Sequence, residues 1–202
     1  MYQREYIYIL AMSVVIVTSN VLVQYPLGPW LTWGALTFPF AFLITDLVTR
    51  FHGVATAKKV IGAGVLAGIV FSFVASYYAL TTLRIAVASA TAFVVSQLTD
   101  MKLFDSLRKL AWWQTPIISS SIGSVLDTLI FFGIAFSAMS FALSPDGNDW
   151  AMENVPLLGV GPELALWVSL AVADLGIKLL FALLMLIPYR VLIGRDREVT
   201  SE

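Results

Sequence analysis

The stretch TFPFAFLITDLVTRFHG, residues 37–53, decides how the chain must be read. It is apolar and aromatic, yet Asp46 lies inside it, a full turn before the first cation, Arg50. The surrounding chain is equally apolar. Hydrophobic types make up 59% of its 202 residues and charged types 12%. Soluble domains carry about twice that charge. The apolar residues fall in runs of about 20, long enough to cross a hydrocarbon layer about 30 Å thick. The chain is therefore expected to be an all-α, polytopic membrane protein. In lipid each crossing must satisfy its own backbone, so each run should be a helix. The runs do not alternate as the strands of a membrane barrel would.

Six spans are expected, near residues 5–24, 32–51, 57–79, 84–100, 115–143 and 162–190. They form one compact bundle, residues 1–202, as a single transmembrane domain. The first run is too long for a signal-peptide core and reads as a retained anchor. Charge orients the spans. Arg4, Arg50, Lys58, Lys59, Lys102, Arg108, Lys109, Arg190, Arg195 and Arg197 fall on one side. Only Arg84 falls on the other. Both termini should then be cytoplasmic. Residues 144–161 should form a periplasmic loop, within a segment that has acidic residues and no Lys or Arg. Residues 101–113, with cations between apolar positions, read as a cytoplasmic interfacial helix. Gly64 and Gly68, four apart, read as a close helix contact.

The net charge of −1 gives no footprint for nucleic acid, and without cysteine no thiolate or disulfide chemistry exists. His52 is the single histidine and lies in a basic loop. No phosphate-binding loop, H-E-x-x-H or G-x-S-x-G motif occurs. The reading therefore names no catalytic residue, metal or cofactor, and no enzyme.

The polar groups within the spans carry the argument. Each charge at a helix centre costs about 2.5–3.5 kcal/mol on insertion scales, so Asp46, Asp127, Asp174 and Lys178 must face one another or a wet cavity. Asp174 and Lys178 share a face at i, i+4, which serves equally as a helix lock or a ligand site. Asp127 has no sequence-local partner, whereas Asp46 could pair with Arg50. On helical spacing Ser120, Ser124 and Asp127 share a face, as do Ser13, Asn20 and Gln24. So do Phe93, Ser96 or Gln97, and Asp100. Phe38, Phe42 and Asp46 recur every four residues. One central site would satisfy all these stripes. Asn20, Gln24, Phe38, Phe42, Asp46, Gln97, Asp127, Asp174 and Lys178 are thus candidate substrate-binding residues. Arg84 and Asp100 are candidate gating or helix-end residues. Three carboxylates against one ammonium favour a cation, and carboxylates with amides beside aromatic faces suit a flat heterocycle with several N–H groups. Pro39 should kink its helix.

Five stretches together resemble the queuosine precursor transporter family, also called the vitamin uptake transporter family. They are TSNVLVQ (18–24), TWGALTFPFAFLITDLVTRFHG (32–53), RIAVASATAFVVSQLTDMKLFDSLRK (84–109), WWQTPIISSSIGSVLDTLIFFGIAF (112–136) and ADLGIKLLFALLMLIPYRVLIG (173–194). The resemblance implies a multi-pass importer of the bacterial inner membrane. Its implied cargo is a nucleobase-like small molecule, the nitrile and aminomethyl 7-deazaguanine precursors of queuosine, salvaged for tRNA modification. Asn20, Gln24, Asp46, Gln97, Asp100, Asp127, Asp174 and Lys178 stand at matching positions. Leu175 stands where the family often has an aromatic. The expected partners are substrate and lipid, without nucleic acid, and a homodimer is left open. The rival readings are a substrate-binding subunit of an ATPase-driven vitamin transporter and a membrane enzyme.

Overall fold

The computed structural model describes residues 2–23, 25–78, 82–136 and 149–199. Helix α1 is Tyr2–Leu22, and a short hairpin follows, β1 (Pro26–Leu27) against β2 (Leu31–Thr32). Gly28 turns this hairpin at φ 73°, a conformation that costs glycine least. Next come α2 (Trp33–Thr37), α3 (Phe40–Tyr77), α4 (Leu83–Leu107) and α5 (Gln114–Phe136). A second antiparallel hairpin, β3 (Asn154–Pro156) and β4 (Glu163–Ala165), precedes α6 (Leu166–Leu184) and α7 (Leu186–Val199).

Three breaks shape the bundle, and each has a sequence cause. The span expected at 32–51 is interrupted at Phe38–Pro39, between α2 and α3. Proline has no N–H, and its ring crowds the carbonyl four residues back. The run 162–190 breaks at Met185, and Pro188 follows within the first turn of α7. At Gly53, inside α3, the backbone leaves helical geometry at φ 78°, ψ 175°. A straight helix would hold residues 38 and 64 about 39 Å apart. Yet the Phe38 ring packs against Phe93 at 6.0 Å, and a Cβ on Gly64 would lie 3.0 Å from the same ring. The chain therefore folds back at Gly53, where the charge pattern places a loop.

Helix α1 packs on α3, α3 on α4, α4 on α5 and α5 on α6. Gly64 and Gly68 form the close contact expected of them: a Cβ on Gly64 would sit 2.8 Å from Met12 Cγ, and one on Gly68 3.4 Å from Ile16 Cγ2. Outward side chains such as Ile7, Leu10, Leu129 and Leu183 are exposed and apolar, which suits a lipid-facing surface. Among the described residues, four helical stretches are long and apolar enough to cross a membrane: Glu5–Leu22, Trp33–Ser72, Gln114–Phe136 and Leu166–Gly194. The second of these contains the Gly53 turn. Helix α4 is long enough at 25 residues, but it buries Ser96, Gln97 and Asp100.

The stretch 101–113 is not one separate helix. Residues 101–107 continue α4, and 108–113 are turns. The reason is burial: Met101 and Phe104 extend α4's inward face and are fully covered. Of the loop expected at 144–161, residues 144–148 lie outside the described residues. The remainder forms a 3-10 turn, Asp149–Met152, the strand β3 and a second 3-10 turn, Leu157–Gly159.

Helix α2 is seated tightly on α1. A Cβ on Gly34 would lie 2.7 Å from the Ser19 carbonyl and 2.8 Å from the Val23 nitrogen, both backbone atoms. Gly34→Ala should therefore destabilise by about 1–3 kcal/mol through overpacking. Gly133→Ala, with nothing within 4 Å, should be neutral or slightly stabilising. Loss of monodisperse protein on heating in detergent measures both.

Candidate functional site

The site is built around Lys178. Helical spacing brings Asp174 and Lys178 to one face of α6, and α5 presents Asp127 and Thr128 opposite. The Lys178 ammonium donates to Asp174 Oδ2 at 2.5 Å, to Asp127 Oδ2 at 2.7 Å and to Thr128 Oγ1 at 3.3 Å. Thr128 donates onward to Asp174 Oδ2 at 2.8 Å. Ser96 of α4 donates to Asp127 Oδ1 at 3.2 Å. The ammonium also lies 5.4 Å from the centre of the Phe38 ring, within cation–π range. Three helices and the α2–α3 junction are thereby tied to one cation.

The two carboxylates are not equivalent. Both oxygens of Asp127 are engaged, and its side chain is 6% exposed. Asp174 is 17% exposed and spends only Oδ2 on Lys178 and Thr128. Its Oδ1 carries no hydrogen bond from the described residues. Asp174 is thus the carboxylate available to a ligand.

Asp127, Asp174 and Lys178 sit on the wall of a cavity of about 390 Å³. Asn20 and Phe38 share that wall. So do Trp30 from the first hairpin, Trp150 from the 3-10 turn after α5, and Phe131, Phe132 and Phe136 of α5. The volume is in the range of small-molecule sites, mostly apolar with a few convergent polar groups.

A second polar cluster lies deeper, toward the basic loops. Ser119 and Ser120 donate to Asp46 Oδ1 and Oδ2 at 3.4 and 3.2 Å. Ser120 also lies 3.3 Å from Asp100 Oδ1, a second acceptor for its hydroxyl. Thr45 donates to Gln97 Oε1 at 2.5 Å. Phe42 packs here, where a Cβ on Gly123 would come within 2.7 Å of its ring. Asp46 makes no ion pair with Arg50 among the described residues. The i, i+4 spacing allows that pair, but Asp46 turns to the serines of α5 instead.

The stripes read from the sequence therefore form two clusters rather than one central site. Asn20, Phe38, Asp127, Asp174 and Lys178 share the large cavity. Phe42, Asp46, Gln97 and Asp100 form the deeper layer. Arg84 is buried in the first turn of α4 and is not on the cavity wall. Gln24 lies outside the described residues. Sequence reasoning missed Thr128, Trp30, Trp150 and the three α5 phenylalanines. The tryptophans stand in connecting segments, where no periodicity marks a direction. The phenylalanines look like lipid-facing residues until α6 is placed beside them. Among the described residues, no three of His, Asp and Glu converge as a metal site would need.

Apolar helices closed around an aromatic cavity with a charge triad on its wall define a multi-pass membrane protein with an internal cavity. A family model described as "Putative vitamin uptake transporter" matches residues 32–193. The chain is 34% identical to the queuosine precursor transporter of Escherichia coli (strain K12), over 89% of this chain and 82% of the relative. It is 41% identical to the probable queuosine precursor transporter of Haemophilus influenzae, over 52% of each. No solved structure matches the chain significantly. The chain belongs to the vitamin uptake transporter family.

Removing the cation strands one buried and one half-buried carboxylate. Lys178→Met should cost about 3–5 kcal/mol and sharply lower the yield of folded protein. Adding Asp127→Asn to Lys178→Met should recover part of that loss, because one stranded charge is gone. Thermal stability in detergent, compared across the two variants, checks this.

Proposed function

We propose that this protein imports the 7-deazaguanine precursors of queuosine, in nitrile and aminomethyl form, across the bacterial inner membrane. The names of both relatives support that cargo. The cavity supports it chemically, and the observation that carries the reading is the open oxygen of Asp174 on an aromatic wall. A guanine-like edge offers several N–H donors that a carboxylate accepts. Asn20 offers an amide for its carbonyl, and Phe38 or a tryptophan offers a stacking face. Two carboxylates around one ammonium leave one formal negative charge, which favours the cationic aminomethyl form. The neutral nitrile form is held by the edge and the stack alone.

The mechanism is alternating access. The cavity reaches the hairpin end through Trp30 and Trp150. The opposite end is closed by the Asp46 layer and by Arg108, which donates to the carbonyls of Thr49 and Arg50 at 3.3 Å. In this reading six spans cross the membrane, α2 and the first part of α3 forming the second. Both termini are cytoplasmic, and the conformation is open to the periplasm.

The test is salvage. Expressed in a bacterium that neither makes nor imports these bases, the protein should restore queuosine in tRNA when either base is fed. No restoration, with the protein present in the membrane, would refute the cargo. Asp174→Asn should weaken uptake of the aminomethyl form about 10–100-fold, the value of a charge-assisted hydrogen bond. Uptake of the nitrile form should fall less.

A further inference from the structure

We propose that Asp46 and Asp100 form a proton-carrying pair that couples import to proton entry. The inference rests on the transport reading above and adds its energy source. Both side chains are buried, Asp46 at 2% and Asp100 at 0% exposure. They share the Ser120 hydroxyl, and no cation pairs with either among the described residues. The triad differs, because its carboxylates already hold an ammonium. A buried carboxylate without a cation is costly, and a proton is the smallest group that removes the charge.

Two further observations point to a mobile proton here. Asp100 Oδ2 and Gln97 Nε2 are buried without a hydrogen-bond partner. Gln97 lies one turn before Asp100, and its amide head is held on Thr45, the neighbour of Asp46. Unsatisfied atoms on both α4 residues thus belong to this layer. Between the layer and the triad lies a void of about 10 Å³, walled by Asp46, Ser120, Ser124 and Lys178 among others. That is about the space one water needs, given polar partners. A water in that void would lie between Ser120 and Ser124, on the way from Asp46 toward Lys178.

The charged and titratable groups around the pair come from every neighbouring element. Arg50 follows Asp46 by one turn on α3, and Arg108 follows α4. Asp127 is on α5, Lys178 on α6 and Tyr189 on α7. Lys178 borders both clusters. When the pair carries its proton, Lys178 is held by Asp127 and Asp174. When the proton leaves toward the basic side, the exposed charge on Asp46 draws Lys178 inward. Cargo has left before this step, and the shift of Lys178 lets the empty protein return to its outward-open form. One proton enters at the cavity side and leaves at the basic side, per molecule of substrate.

The experiment uses the purified full chain in liposomes that contain a pH-sensitive dye, with the aminomethyl base as probe. The wild type should admit protons only when substrate is added outside, and an inward proton gradient should drive accumulation. Asp100→Asn should lose both, yet still exchange labelled for unlabelled substrate at a near wild-type rate. Exchange without substrate-dependent proton entry in the wild type would overturn the proposal and leave the cargo intact. So would accumulation driven by a sodium gradient instead. Failure of the wild type to exchange the probe would refute the transport reading itself. If Asp100→Asn does not fold, Asp100→Ser is read the same way. Proton entry that persists in a folded variant, or is lost only together with exchange, would overturn the pair's role.

Discussion

The rest of the structure depends on how an apolar bundle accommodates one ammonium group. Lys178 is buried within the spans, and a lone cation at that depth is costly. Asp174 answers from one turn earlier on α6, and Asp127 answers from α5. Thr128 and Ser96 each donate one further hydrogen bond to those carboxylates. Satisfying the cation therefore fixes α4, α5 and α6 against one another. It also leaves one carboxylate oxygen, Oδ1 of Asp174, without a hydrogen bond among the described residues, on a residue that lines the cavity. The structure shows the lock that the i, i+4 spacing allows; the ligand role belongs to the proposed function.

The second constraint is the backbone. Uninterrupted helices would pack side by side and leave no room for a cavity of about 390 Å³. The break at Phe38–Pro39 sets Phe38 at the junction of α2 and α3, where its ring meets Phe93 and the Lys178 ammonium. The tight contact of Gly34 with α1 then holds α2 in place. Hairpins at one end add Trp30 and Trp150 to the cavity wall. At the other end, Arg108 ties the turn after α4 to the end of the first part of α3. The two ends are built differently, one aromatic and one basic. In the proposed transport cycle that asymmetry supplies the direction.

Much of the arrangement was legible because lipid makes the rules strict. Long apolar runs had to be helices, and the Lys and Arg positions placed a loop near Gly53. Buried charges had to find partners, which gathered Asp127, Asp174 and Lys178 before any coordinates. Asp46 shows where that reasoning stops. Its spacing to Arg50 permits a local pair, but the structure gives it the serines of α5. Sequence spacing states which residues share a face; it does not state which neighbouring helix that face meets. The stretch 101–113 fails similarly. Its cations resemble those of a surface helix, while burial of Met101 and Phe104 keeps residues 101–107 within α4.

The sequence by itself determined the solvent, the helical class, the family and most of the polar residues that matter. Each follows from local composition, period or motif, which need no knowledge of neighbours. Only the tertiary structure decided that the polar stripes divide into two layers, that Asp127 is engaged through both oxygens while Asp174 is engaged through one, and that tryptophans from separate connections line the same cavity. Those facts depend on helix rotation and contact between segments distant in the chain. Packing sets both, and no local pattern records them.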